Sequence, residues 1–256
     1  MVQTADSQHA RQTQRRKSGN GWHTTFIGEN RRTRDPDLPE PARDTLFPMA
    51  FLVEKDPGAI VRPHFHRADQ YQVVMSGSGR MGLHPLDGIA VHYTDAYSAY
   101  GPIVAADDGL AWFTLRNGWD PGARYMTESR PELRAARAQN FQHREAVADG
   151  IHPLSPAALA ALHEVQCNPI LGPNPDGLGT WHCLLPPNAV LRGPDPATGA
   201  GQFWIVLAGT MAAAGSGPLS PQSCVFAAPD DAPLLVHADA GGAEALCLQF
   251  PLHPTH

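Results

Sequence analysis

Two stretches of the chain repeat one another. Gln70-Tyr71-Gln72-Val73-Val74-Met75-Ser76-Gly77 lies over Gln202-Phe203-Trp204-Ile205-Val206-Leu207-Ala208-Gly209 at one fixed offset, matching glutamine, aromatic and glycine positions. Each reads as an apolar strand ending in a glycine turn, and each falls at the same stage of its half, so a duplicated β-domain is expected. The length of 256 residues accommodates two such domains. With 24 glycines, 25 prolines and only 17% charged residues, the composition opposes a helical bundle. A hydrophobic content of 42% opposes wholesale disorder.

The turn signals give an order of strands, helices, then strands. Residues 1–42 read as a tail and arm, the first 20 or so too polar to order, with Arg31, Arg32 and Arg34 in an extended solvated stretch. A first β-domain is expected over 43–127, a helical linker over 128–177 and a second β-domain over 178–256. The linker helices are placed by the capping box Ser129-Arg130-Pro131-Glu132 and by Ser155 before Pro156. A formal charge of −6 offers no basic face for nucleic acid. No apolar run is long enough to span a membrane. No apolar stretch follows the basic residues Arg11–Lys17, as a signal peptide requires. Cys167, Cys183, Cys224 and Cys247 lack CxxC spacing and read as reduced, buried thiols of a cytoplasmic protein.

The chemistry concentrates at His64-Phe65-His66. On a strand, residues two apart point to one face, so both imidazoles enter one space, and two neutral imidazoles suit Fe, Ni, Cu, Zn or Mn. The segment His64-Phe65-His66-Arg67-Ala68-Asp69-Gln70, with Gly77 beyond it, resembles the first motif of the cupin superfamily, HxHxxxE followed by glycine. Asp95-Ala96-Tyr97-Ser98-Ala99-Tyr100-Gly101-Pro102 stands where the second motif, PxGxxH, is expected. The resemblance implies an all-β fold of two cupin-type antiparallel β-barrels, a bicupin, joined by the helical linker. It puts His64 and His66 in the first two metal-ligand positions, Gln70 in the carboxylate position and Tyr100 in that of the third histidine. In the second half, Pro196 and Thr198 stand at the histidine positions and Leu234 at the last ligand position, so that barrel is expected to be structural.

The departures carry consequences. Glutamine offers a neutral amide oxygen in place of a carboxylate, and Tyr100 ligates well only as phenolate. Asp69 either orients an imidazole or faces solvent, and the strand alternation favours solvent. Arg80, His84 and His92 read as solvated strand-face residues, and Trp112, Phe113, Tyr71 and Tyr97 as barrel core. Gly77-Ser78-Gly79-Arg80-Met81-Gly82 spells a dinucleotide fingerprint, but a hairpin follows it where a helix is required.

Three functions are compatible with these residues. The first is a small-molecule enzyme with one divalent metal in the first barrel, iron before Mn, Ni or Zn, performing dioxygenase-type chemistry. There His64, His66, Gln70 and Tyr100 hold or flank the metal. The second is a metal-free isomerase or lyase with His66 and Tyr100 as catalytic acid–base groups. The third is a non-catalytic ligand-binding or sensor cupin. A homodimer is the expected assembly.

Overall fold

The structure is a computed structural model that describes residues 1–30, 34–42, 45–137 and 143–253. Arg31 and Arg32 of the expected arm lie outside the described residues, whereas Arg34 pairs with Glu29 at 3.0 Å. The chain divides into two compact units, Arg15–Ile151 and Met1–Gln14 together with His152–His256. Both are antiparallel β structures, so the all-β, two-unit architecture holds.

In the Arg15–Ile151 unit the central strands are Gln70–Met81 and Ile103–Gly118. Outward from Gln70–Met81 come Ile89–Thr94 and Glu145–Ile151; outward from Ile103–Gly118 come Leu46–Lys55, Gly21–Ile27 and Arg15–Lys17. A separate two-stranded ribbon pairs His64–Phe65 with Arg124–Tyr125. In the other unit the order is Gln3–Ala5, Cys224–Ala227, Gln202–Ala213, Leu235–Gln249, Gly179–Leu185, Gln166–Leu171.

The repeat is visible in the backbone. Gln70–Met81 and Gln202–Ala213 are both twelve-residue strands that open on the matched glutamine. The matched glycines also do the same work. Gly77 (φ +79°) and Gly209 (φ +69°) each lie where a β-carbon would come within 2.2 and 2.1 Å of a carbonyl oxygen, of Gly109 and Gly242 respectively. Only glycine fits a left-handed residue pressed against a neighbouring strand.

Three expectations are corrected. The first 20 residues are ordered: Gln3–Ala5 pairs with Cys224–Ala227, Asp6 caps the helix Ser7–Thr13 by accepting from His9 N–H, and Arg15–Lys17 pairs with Gly21–Ile27. Their polarity reflects edge positions, where main-chain hydrogen bonds to an open sheet edge supply the order. The 128–177 segment holds the helices Arg130–Arg137 and Pro156–Ala160, but is no simple helical linker. Its Glu145–Ile151 and Gln166–Leu171 segments join the sheets on Ile89–Thr94 and Gly179–Leu185. Pro169 is tolerated because its strand is an edge. Third, Cys167 and Cys183 are not separate thiols: they are cross-strand partners joined as a disulfide. Cys224 and Cys247 are free and buried. Among the described residues no helix is long and apolar enough to cross a membrane.

The second unit has a filled interior at the positions equivalent to the histidines. Pro196–Thr198 forms a 3-10 turn. Gln202 donates to Gln249 Oε1 at 2.7 Å, and the Thr198 hydroxyl oxygen accepts from Gln249 at 3.1 Å. Trp204 is fully buried, its ring against Gly193, where a β-carbon would fall 2.4 Å from the indole.

Candidate functional site

Strand register builds one polar face in the Arg15–Ile151 unit. Trp112 stands opposite Val74, and Val74 opposite Ala90. One rung on, Thr114 meets Gln72 and Gln72 meets His92. At the next, Arg116 reaches Gln70, which stands opposite Thr94. All nine side chains are buried. Polar residues at alternating positions of otherwise apolar strands are costly unless mutually bonded, and here they are. Two N–H groups of Arg116 donate to Gln70 Oε1 at 2.9 and 3.2 Å, and His92 lies 3.1 Å from Gln72 Oε1 and 2.9 Å from Glu145.

The motif segments close over this face by backbone pairing. His64 and Tyr100 exchange main-chain hydrogen bonds at 3.1 and 3.0 Å, and Tyr97 N–H donates to His66 O at 2.7 Å. Asp69 accepts from Ala96 N–H at 2.8 Å. The ring of Tyr100 lies 4.6 Å from that of His64 and 5.0 Å from that of His92, and the two motif imidazoles are 5.1 Å apart.

Each motif imidazole is tethered through Nδ1. His64 Nδ1 donates to the Arg62 carbonyl at 2.7 Å. His66 Nδ1 lies 2.8 Å from Asp120 Oδ2. Asp120 also accepts from the main-chain N–H groups of Arg67 and Gly122 at 2.9 Å each, and pairs with Arg116 at 3.1 Å. Burial alone would raise the Asp120 carboxyl, but Arg116 and His66 beside it hold it well below the usual carboxylate range. Burial, then the neighbouring His66, pushes His64 down to about 3. Burial and Arg116 push His66 down as well. The His66–Asp120 contact is therefore a neutral imidazole donating to a carboxylate, since Arg116 already balances that charge. Arg116 Nη2 also lies 3.1 Å from His66 Nδ1, but the closer Asp120 carboxylate requires a donor there, so both histidines are left with Nε2 unprotonated, and neither Nε2 has a hydrogen-bond partner among the described residues.

The four expected site residues are thus brought together, in unequal states. Gln70 spends its carbonyl oxygen on Arg116 and donates through Nε2 to the Tyr100 hydroxyl. Burial pushes the Tyr100 phenol well above its ordinary range, so it stands as a phenol. Asp69 is corrected: it is buried, and ties down the segment that carries Tyr100. His92 is buried too, because the Glu145–Ile151 strand covers it; Arg80 and His84 are exposed as expected. Tyr71, Trp112 and Phe113 are core, and Tyr97 is half-buried. Arg116 and Asp120 were not foreseen. The signal for Arg116 was its spacing of two and four from Thr114 and Trp112, which puts a charge on the inner face. Asp120, in Asn117-Gly118-Trp119-Asp120-Pro121-Gly122, reads only as turn chemistry. Among the described residues no group of three or more His, Cys, Asp or Glu side chains is placed to hold a metal ion.

Comparison with known proteins agrees with this architecture. A cupin family profile matches residues 38–86, which include the histidine motif. A search of curated proteins found no match. A candidate dioxygenase from Nostoc punctiforme PCC 73102 superposes with a TM-score of 0.62 at 13% identity, over 100% of this chain and 85% of that one. The bacterial pirin YhhW from Escherichia coli, in complex with nickel(II), gives 0.57 at 12% identity over 99% and 100%. Oxalate decarboxylase from Lactobacillus farciminis, as a formate complex, gives 0.55 at 12% over 99% and 87%. The profile match and these superpositions show a cupin-like fold built in two β units.

Proposed function

We propose that the Arg15–Ile151 unit carries a small-molecule site in which a divalent metal is held by Nε2 of His64 and His66. The observation that carries this reading is the pair of buried, neutral imidazoles, each fixed through Nδ1 and each with an unengaged Nε2. Unengaged imidazole nitrogens of that kind fit a borderline metal ion, and a carboxylate behind a ligating imidazole is the usual support for one. Gln70 and Tyr100 support the site from beside the metal, because Gln70 Oε1 is committed to Arg116 and Tyr100 keeps its proton. A redox-active ion such as iron would supply dioxygenase-type oxidation of a small organic substrate. The chain's own residues fix the imidazoles, keep them uncharged, and offer the Tyr100 proton to a bound substrate.

A second reading rests on Arg116. A buried guanidinium 3.1 Å from His66 Nδ1 disfavours a cation nearby, which suits a metal-free ligand-binding cupin. Metal analysis of untagged protein decides between them. Near-stoichiometric iron, manganese or nickel that is lost in His64→Ala/His66→Ala supports the enzyme; wild-type protein that stays metal-free after loading with each ion sinks it.

A further inference from the structure

Two buried donors on the polar face lack acceptors. Trp112 Nε1–H is buried with no hydrogen-bond partner. The second donor follows from a chain of orientation. Arg116 has only donors, so its two contacts fix Gln70 with Oε1 toward the guanidinium and Nε2 toward Tyr100. The Tyr100 oxygen therefore accepts, and its own proton finds no acceptor among the described residues. Trp112 and Tyr100 belong to one apolar cluster, with Val74, Ala90 and Ile103 among the side chains that fill it. A buried donor left without a partner is costly, so two in one apolar cluster mark places that a ligand completes.

We propose that the ligand of this site has an apolar body bearing two acceptor oxygens, one bound by the Tyr100 hydroxyl and the other by Trp112 Nε1–H. Trp112 is then a specificity-determining residue: it selects compounds with a second carbonyl-type or carboxylate oxygen remote from the first. This deepens the proposed function by naming the substrate class, and it rests on the same polar face without depending on the metal.

The test uses full-length, chelator-treated protein and two uncharged probes, cyclohexane-1,4-dione with two acceptors and cyclohexanone with one. In ¹H–¹⁵N NMR spectra the Trp112 indole signal, assigned by its loss in Trp112→Phe, is expected to move downfield with the dione. The dione is expected to bind about fivefold or more tightly than cyclohexanone, the ratio that one neutral hydrogen bond gives. Trp112→Phe and Tyr100→Phe should each bring the dione to the affinity of cyclohexanone. Equal affinities in the wild type, or an unmoved Trp112 signal at the highest dione concentration, overturns the proposal. Because the protein is metal-free throughout, failure of the metal reading shows only in metal analysis and failure of this one only in the probe titration.

Discussion

His66 Nδ1 and Asp120 Oδ2 stand 2.8 Å apart, both buried, and the imidazole is the neutral partner. The charge of Asp120 is answered instead by Arg116, at 3.1 Å. One carboxylate thus sets the tautomer of a histidine and balances a buried guanidinium.

Removing that charge is predicted to be severe. Asp120→Asn keeps the shape but leaves Arg116 buried and unpaired, a change that costs about 3–5 kcal/mol. Urea unfolding should show a correspondingly lower midpoint at an unchanged slope. Loss of the imidazole's support should also weaken metal retention by about 10–100-fold. An Asp120→Asn protein within about 0.5 kcal/mol of wild type would show that the pair contributes little.

Stability is predicted to fall as pH drops below neutrality. His64 takes up its proton near pH 3 in the folded protein and near pH 6.5 when unfolded. Between those values the unfolded chain binds the extra proton, so stability rises with pH across the window and is fully present above it. At pH 5 His64 alone costs about 2 kcal/mol relative to pH 8. Chemical denaturation of metal-free wild type and His64→Gln at both pH values measures this; an equal pH dependence in the two proteins contradicts it.

Gln70→Glu places a carboxylate against Arg116, where the amide oxygen now sits at 2.9 Å. It should fold with lower stability in the metal-free state, because Asp120 already balances Arg116 and the new carboxylate is a second buried anion beside it. It should also retain divalent metal more strongly, by bringing an anionic oxygen beside His64 and His66. Competition with a chelator reads the affinity, and unchanged retention would place Gln70 too far from the ion to matter.

The free thiols should be inert in the native state. Burial pushes both Cys224 and Cys247 far above the ordinary thiol range, and the thiolate is the reactive form. Ellman's reagent should therefore titrate two thiols only on unfolding, with two more appearing after reduction of the Cys167–Cys183 disulfide.

Much of this site was legible in the sequence, because strand alternation is local. His64 and His66 share a face by spacing alone, and the repeat placed Gln70 and Gln202 at equivalent strand starts. Arg116 and Asp120 were not legible as partners, since their meeting with Gln70 and His66 depends on register across strands far apart in the chain. His92 misled for a related reason: alternation put it on a face, but nothing local says that Glu145–Ile151 covers that face. The ordered first residues were missed because edge pairing uses main-chain groups, which leave no trace in side-chain hydrophobicity.

The pairing of Gln3–Ala5 with Cys224–Ala227 has a consequence in time. During synthesis the Arg15–Ile151 unit is complete long before residues 224–227 exist. The opening segment must wait, tethered to a half that can already fold, until residues 224–227 have been made, roughly 4–15 s for the seventy-odd residues after Ile151. The second unit therefore closes around a segment made well before the rest of it, and that edge forms only after the other unit has had time to fold.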